Sequence, residues 1–234
     1  MIYIQHIAST SRANCTYIHD KYTHLLLDCG VAPRPIQQIV QFPISNLDGV
    51  LITHQHADHC RGVRDMLWLG VSCYMLEATA NYWMYSDNRL TVYIEPDKPV
   101  TIGTWTVTPF PAIHDVPCVG YCLDSEKGGR AVYLTDSAYS PRKFPGMTHL
   151  MVECNYDVGH ARQNVKDGVI DSSVRDRVIS THMSIDTLCQ LLEANDTSQL
   201  QEIRLMHLSD NNSQEDEFVK RIRGITGLPV KVAE

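Results

Sequence analysis

Apolar and polar positions alternate along the chain in short blocks. "MIYIQHIA", "CTYIHD" and "THLLLDCG" are rich in β-branched and aliphatic residues and are parted by polar turns, which predicts three strands. "PRPIQQIVQF" predicts a short helix after Pro35, with Ile36, Ile39 and Val40 on one face. "LDGVLITH" has the length of a buried strand, and "CRGVRDMLWLG" brings Val63, Met66 and Leu67 round at helical spacing. "VSCYML" predicts a strand and "EATANYWMYSD" a helix. "VTIGTWTVTPFPAIH", "CVGYCLD" and "RAVYLTDSA" predict further strands, with "EKGGR" as a tight hairpin turn. After strand-like "HLMVECN", the stretch 156–178 is polar and shows no element. "SIDTLCQLLEAN" predicts a helix capped by Ser184, with Ile185, Leu188, Cys189 and Leu192 in one stripe. "QEIRLMHLSDN" predicts a strand ending in a loop. "SQEDEFVKRIRGITG" predicts a helix acidic at its start and basic at its end, as the macrodipole favours, with Gly227 as its cap. "LPVKV" closes as a strand. Two groups of strands with helices between them give an α/β (α+β) class, two packed sheets flanked by helices. No repeat, low-complexity tract or long linker interrupts the chain, so 1–234 reads as a single domain.

Composition narrows the setting. Hydrophobic residues make up 44% and charged residues 20%, an ordinary profile for a soluble protein. No apolar run approaches the ~20 residues of a membrane span, and the N-terminus shows no basic region followed by an apolar signal core. The eight cysteines are scattered without a C-x-x-C pair and read as reduced, mostly buried thiols of a cytoplasmic protein. A net charge of −7 argues against a surface that coats nucleic acid. A polyanionic substrate would have to meet a local positive patch or a metal centre.

The stretch "VLITHQHADHC" places His54, His56, Asp58 and His59 directly after an apolar run. Ionisable groups this crowded raise one another's energy unless something holds them, and neutral imidazole is the commonest metal ligand near neutral pH. His54 and His56 can bind one ion beyond a strand end, which leaves Asp58 and His59 to face a second. A solitary histidine is more often a surface or satisfied core residue, but four donors in H-x-H-x-D-H order are not. A two-ion site needs about four or five donors per ion, water included. Three further candidates sit at the ends of mainly apolar runs: His114 in "VTPFPAIHD", Asp136 in "RAVYLTDSA" and His207 in "IRLMHLSD". His6, His19, His24, His149 and His160 lack that placement.

With these residues in place, the chain resembles the metallo-β-lactamase superfamily over nearly its full length. The resemblance implies a four-layer αβ/βα sandwich, the metallo-β-lactamase fold. It implies that His54, His56 and His114 hold one metal, that Asp58, His59 and His207 hold the other, and that Asp136 bridges them. Two divalent metal ions are implied, zinc or manganese, with iron as an alternative for such mixed donors. Ions about 3.5–4 Å apart can hold a bridging hydroxide as nucleophile and neutralise charge on a phosphorane-like transition state. The lactamases themselves typically place Cys at the position of Asp136. The carboxylate resembles the phosphodiesterase, glyoxalase and lactonase branches instead. His56, where flavo-di-iron oxidoreductases usually carry Glu, argues against oxygen reduction.

"IASTSRANCTYI", "LLLDCG", "YLTDSAYS", "VECNYDV", "STHMSID" and "LMHLSDNN" are similar, in order and approximate spacing, to segments of the YycJ/WalJ-like hydrolases, which are related to RNase Z. That subgroup implies 5′-to-3′ DNA exonuclease activity on a nucleic acid or nucleotide substrate. By the same resemblance, Glu153 and His182 pair near the leaving group as catalytic residues beside Asp58. His182 would donate a proton and Glu153 would orient it. Asp28 would stand behind the ligands, hydrogen-bonding the histidine loop and fixing tautomers. Ser9, Ser11, Arg12 and Asn14 lie in an expected loop that can offer backbone N–H groups and a guanidinium to a phosphate, or can be a solvated turn. Arg162, Lys166, Arg175 and Arg177 are interleaved with Asp167, Asp171 and Asp176, which favours an ordinary solvated surface over a nucleic-acid contact. Cyclic-nucleotide phosphodiesterase, a non-phosphate hydrolase such as a lactonase, and a non-catalytic metal-binding protein remain as alternatives. No membrane is implied, and the oligomeric state is not legible.

Overall fold

A strand buried on both faces reads as a continuous apolar run, and Leu25, Leu26 and Leu27 are all fully buried. They belong to β3 (His24–Leu27), which pairs antiparallel with β2 (Ala13–His19), itself antiparallel to β1 (Tyr3–Thr10). The computed structural model describes residues 1–209 and 211–233; Asp210, within "LMHLSDNN", and Glu234, at the end of the expected single domain, lie outside the described residues. The chain divides into one unit of Met1–Pro111 and Val116–Arg130 and another of Ala112–Asp115 and Ala131–Ala233. No helix among the described residues is long and apolar enough to cross a membrane.

In the first unit, β3 continues in parallel to β4 (Gly49–Leu51), β5 (Cys73–Met75) and β6 (Thr91–Tyr93), giving six strands in chain order. Parallel neighbours need crossovers. These are α1 (Pro33–Val40), then α2 (Ala57–Cys60) with α3 (Val63–Trp68), then α4 (Glu77–Tyr82). Val63, Met66 and Leu67 of α3 are buried, as their spacing predicts, in one core with Tyr17, Val50 and Ile52. The predicted face of α1 is only partly apolar inside: Ile36 is buried, but Ile39 is 42% exposed. "VTIGTWTVTPFPAIH" is two strands and not one. Gly103, at φ +55°, turns β7 (Val100–Ile102) into antiparallel β8 (Trp105–Ala112). β9 (Cys118–Ser125) lies beside β8.

Asp20 ties these strands together. Its carboxylate accepts from the backbone N–H of Tyr22 and Thr23 at 3.1 Å, and from the hydroxyls of Thr104 and Ser125 at 2.6 Å. Burial works against the charge, but these donors outweigh it and hold the carboxyl below its ordinary range.

The second unit contains four parallel strands: β10 (Arg130–Leu134, continuing from the first unit), β11 (His149–Glu153), β12 (Glu202–Met206) and β13 (Val230–Val232). Its helices are α5 (Val158–Lys166), α6 (Ser172–Thr181), α7 (Ile185–Glu193) and α8 (Glu215–Thr226). Ser184 caps α7 by accepting from Thr187 N–H, and Gly227 closes α8 at φ +67°. The helices α5 and α6 occupy the polar stretch in which no element is predicted. Each buries one residue, Ala161 and Thr181 respectively, so neither shows an apolar stripe. Asp157 and Asp171 start them by side-chain caps. Arg175 and Arg177 are paired with Asp176 and Asp115, as a solvated surface would have it.

Replacing Asp20 with Ala removes four acceptor contacts at once and is expected to lower unfolding stability by about 3 kcal/mol in a urea titration near neutral pH. Because the folded carboxyl is depressed, its contribution is present above the ordinary Asp range and disappears as pH falls. The gap between wild type and variant should therefore narrow below about pH 4. A variant as stable as wild type contradicts this role.

Candidate metal centre

The first unit contributes His54, His56, Asp58 and His59 from the segment that leaves β4 and enters α2. Asp28 lies directly after β3, is fully buried and sits at φ +58°, a left-handed turn that Asp tolerates. Its Oδ1 accepts from Thr53 N–H and from Thr53 Oγ1–H, both at 2.9 Å, and its Oδ2 lies 2.8 Å from His59 Nδ1. An ionised carboxylate only accepts, so His59 carries a proton on Nδ1 and turns Nε2 toward the other donors, 3.3 Å from Asp58 Oδ2. Thr53 spends its single hydroxyl proton on Asp28, so Oγ1 accepts from His54 Nδ1 at 2.9 Å. His54 therefore also presents Nε2. That atom lies 3.0 Å from His56 Nδ1. Two nitrogens bound to one tetrahedral ion at ordinary bond lengths sit about 3.3 Å apart, so the pair is spaced for a shared ion.

The chain holds this loop from both sides. Cys29 N–H donates to the His59 carbonyl at 2.8 Å, Gly62 N–H to the Cys29 carbonyl at 2.7 Å, and Gly30 N–H to the Asn14 carbonyl at 2.8 Å. A Cβ on Gly30 would meet the Asp58 carbonyl oxygen at 1.6 Å, so only glycine allows this approach. The Trp83 indole N–H donates to the Gln55 carbonyl at 2.9 Å.

The segment expected as either a phosphate loop or a solvated turn is the tight hairpin between β1 and β2. Ser9 and Asn14 are buried strand residues facing each other, and only Ser11 and Arg12 occupy the turn. Thr10 Oγ1 already accepts from the N–H groups of Arg12 and Ala13, at 3.2 and 3.3 Å, so those donors are engaged within the turn. The amide of Asn14 reaches the donor set instead, 3.2 Å from Asp58 Oδ2 and 3.0 Å from His59 Nε2.

The second unit contributes His114, Asp136 and His207. Asp136 and His207 follow β10 and β12 at φ +48° and +52°. His114 Nε2 and His207 Nε2 lie 3.8 and 3.6 Å from the Asp136 carboxylate. His114 Nδ1 faces the Thr181 carbonyl at 3.1 Å and so keeps its proton there. Its Nε2 then confronts two carboxylates, Asp136 and, at 3.2 Å, Asp115. A lone pair facing carboxylates is unfavourable without a cation or an added proton between them. The donor chemistry of both units therefore fits divalent metal.

Glu153 ends β11 and is fully buried. Its Oε2 accepts from the N–H groups of Ser137 and Met183 at 3.0 and 3.1 Å, while Oε1 lies 2.6 Å from His182 Nδ1 and 3.3 Å from His207 Nδ1. Burial alone would raise the Glu153 pKa, but His182 and His207 outweigh it and the net shift is down. Burial likewise depresses His182, but Glu153 outweighs it and the imidazole is held above its ordinary value. Asp136, Glu153, His182 and His207 each place a ligand-type atom within 4.8 Å of the others. Sequence reasoning missed Thr53, Asp115 and Asn155. Asn155, whose amide donates to the His207 carbonyl at 2.8 Å, lies in "VECNYD", two residues beyond Glu153.

Asp28→Asn offers an amide where His59 Nδ1 needs an acceptor. The expected result is a 10–100-fold loss of zinc affinity in competition with a chromogenic chelator. Wild-type affinity in this variant would contradict the tautomer assignment.

A beta-lactamase superfamily domain matches residues 23–208. The chain is 25% identical over 223 residues to Exodeoxyribonuclease WalJ of Streptococcus pneumoniae, covering 88% of this chain and 81% of that protein. It is 24% identical over 226 residues to Exodeoxyribonuclease YycJ of Bacillus anthracis, covering 89% and 83%. The crystal structure of the metallo-β-lactamase fold protein YhfI from Bacillus subtilis is 18% identical and superposes with a TM-score of 0.75, covering 100% of this chain and 96% of that one. The two groups of strands and the helices between them are thus those of the metallo-β-lactamase fold, and the chain belongs to the beta-lactamase superfamily.

Proposed function

We propose that this hydrolase is a binuclear metal-dependent phosphodiesterase that acts on nucleic acid as a 5′-to-3′ DNA exonuclease. The observation that carries the reading is the Glu153–His182 pair, 2.6 Å apart, with His182 stacked on His207 at 5.2 Å. The pair is suited to protonating a departing alkoxide, as cleavage of a phosphodiester requires. Two relatives named as exodeoxyribonucleases support DNA as the substrate class. In this reading the two units act as one domain. His54, His56 and His114 would hold one ion and Asp58, His59 and His207 the other, with Asp136 as a ligand shared by both. Zinc or manganese suits these donors, and iron is compatible with them. When bound, such ions supply an activated water and offset charge on the phosphate.

The chain's own residues do the rest. Asp58 is both a donor and part of the catalytic set. Glu153 accepts the His182 Nδ1 proton, fixes the ring plane and stabilises its protonated form. His182 then donates the Nε2 proton to the departing oxygen. The backbone N–H groups of Ser137 and Met183 keep the Glu153 carboxylate from rotating away. All eight cysteines are buried thiols, which supports a reducing cytoplasmic setting.

The test is a substrate panel on protein of verified metal content: 5′-phosphorylated duplex DNA, single strands, RNA, cyclic mononucleotides and a lactone, with Asp136→Ala as control. Release of nucleotides from the 5′ end is expected. His182→Ala should lower turnover about 10²–10⁴-fold with metal content unchanged. Cleavage of cyclic nucleotides alone contradicts the exonuclease reading, and metal loss in His182→Ala contradicts the proton-donor role.

A further inference from the structure

The side-chain amide of Asn14 reaches three groups at once. Its Nδ2 lies 3.0 Å from the Thr10 carbonyl, 3.2 Å from Asp58 Oδ2 and 3.0 Å from His59 Nε2. His59 Nε2 also lies 3.3 Å from Asp58 Oδ2, so one amide nitrogen reaches two candidate ligands at once. Asn14 is 3% exposed, which keeps water from competing for these contacts. The surroundings fix the amide in place. Asn14 sits in β2 opposite Ser9, and its carbonyl accepts from Gly30 N–H at 2.8 Å. Gly30 in turn packs against the Asp58 backbone.

We propose that Asn14 is a positioning residue for metal loading. Its amide, anchored on the Thr10 carbonyl, donates to Asp58 Oδ2 and holds that carboxylate beside His59, so that the two side chains would face one ion together. This rests on the two-ion reading above, in which Asp58 and His59 serve the same ion.

The experiment is a zinc titration of chelator-stripped protein by calorimetry, comparing wild type with Asn14→Leu, which keeps the side-chain bulk and removes the donor. Thermal melting checks the fold. Wild type is expected to take two ions. Asn14→Leu is expected to lose 10–100-fold in affinity for one of them, with the other unchanged. A purely structural role would weaken both alike or lower the melting point alone, and either result overturns the proposal, as does wild-type binding of both ions. Wild type that takes fewer than two ions overturns the two-ion reading itself. If Asn14→Leu does not fold, side-chain NMR of wild type decides. Zinc should shift the Asn14 amide protons and the His59 Nε2 resonance together, and an Asn14 amide that does not respond overturns the proposal.

Discussion

A carboxylate taken out of water is costly unless every lone pair finds a donor, and Asp28 meets that demand with the groups that make the metal motif usable. Its partners are the Thr53 N–H, the Thr53 hydroxyl and His59 Nδ1. Because the carboxylate only accepts, each bond has one direction. The direction passes through Thr53 to His54, so a single buried charge sets the tautomers of two imidazoles. The rest of the first unit serves that placement. The β3 and β4 strands bring Asp28 and Thr53 together, Asp28 N–H holds the Leu51 carbonyl, and Gly30 lets the chain pass against Asp58.

The second unit repeats the device. Glu153, at the end of β11, is a second fully buried carboxylate satisfied by backbone N–H groups and imidazole. It differs in serving two roles, since one of its histidines is a candidate ligand and the other a candidate proton donor. Asp28, Asp136 and His207 all hold positive φ at the ends of strands. Non-glycine residues in that region carry backbone strain, which concentrates where a side chain must be aimed.

The candidate donors were legible in the sequence because strand ends give the rigid anchoring that metal ligands would need. An apolar run that stops at His or Asp marks such a place, which is how His114, Asp136 and His207 stand out beside "HQHADH". Ser184 and Gly227 were legible for a local reason, since caps act within one helical turn. What escaped depends on register between distant segments. Asn14 lies 44 and 45 residues from the side chains it touches, and nothing in "SRANC" reveals that it faces inward and not toward a phosphate. The helices α5 and α6 escaped because their buried faces are one residue wide. Their Asp caps were the available signal.

Protons placed by Asp28 and by the Thr181 carbonyl leave each of His54, His59 and His114 presenting Nε2, the arrangement that the proposed pair of divalent ions requires. Anomalous diffraction at the zinc or manganese edge, from crystals grown with that metal, tests this most directly. Two peaks about 3.5–4 Å apart are expected, with all three histidines bound through Nε2. A single peak, peaks away from these donors, or ligation by His59 through Nδ1 would contradict it.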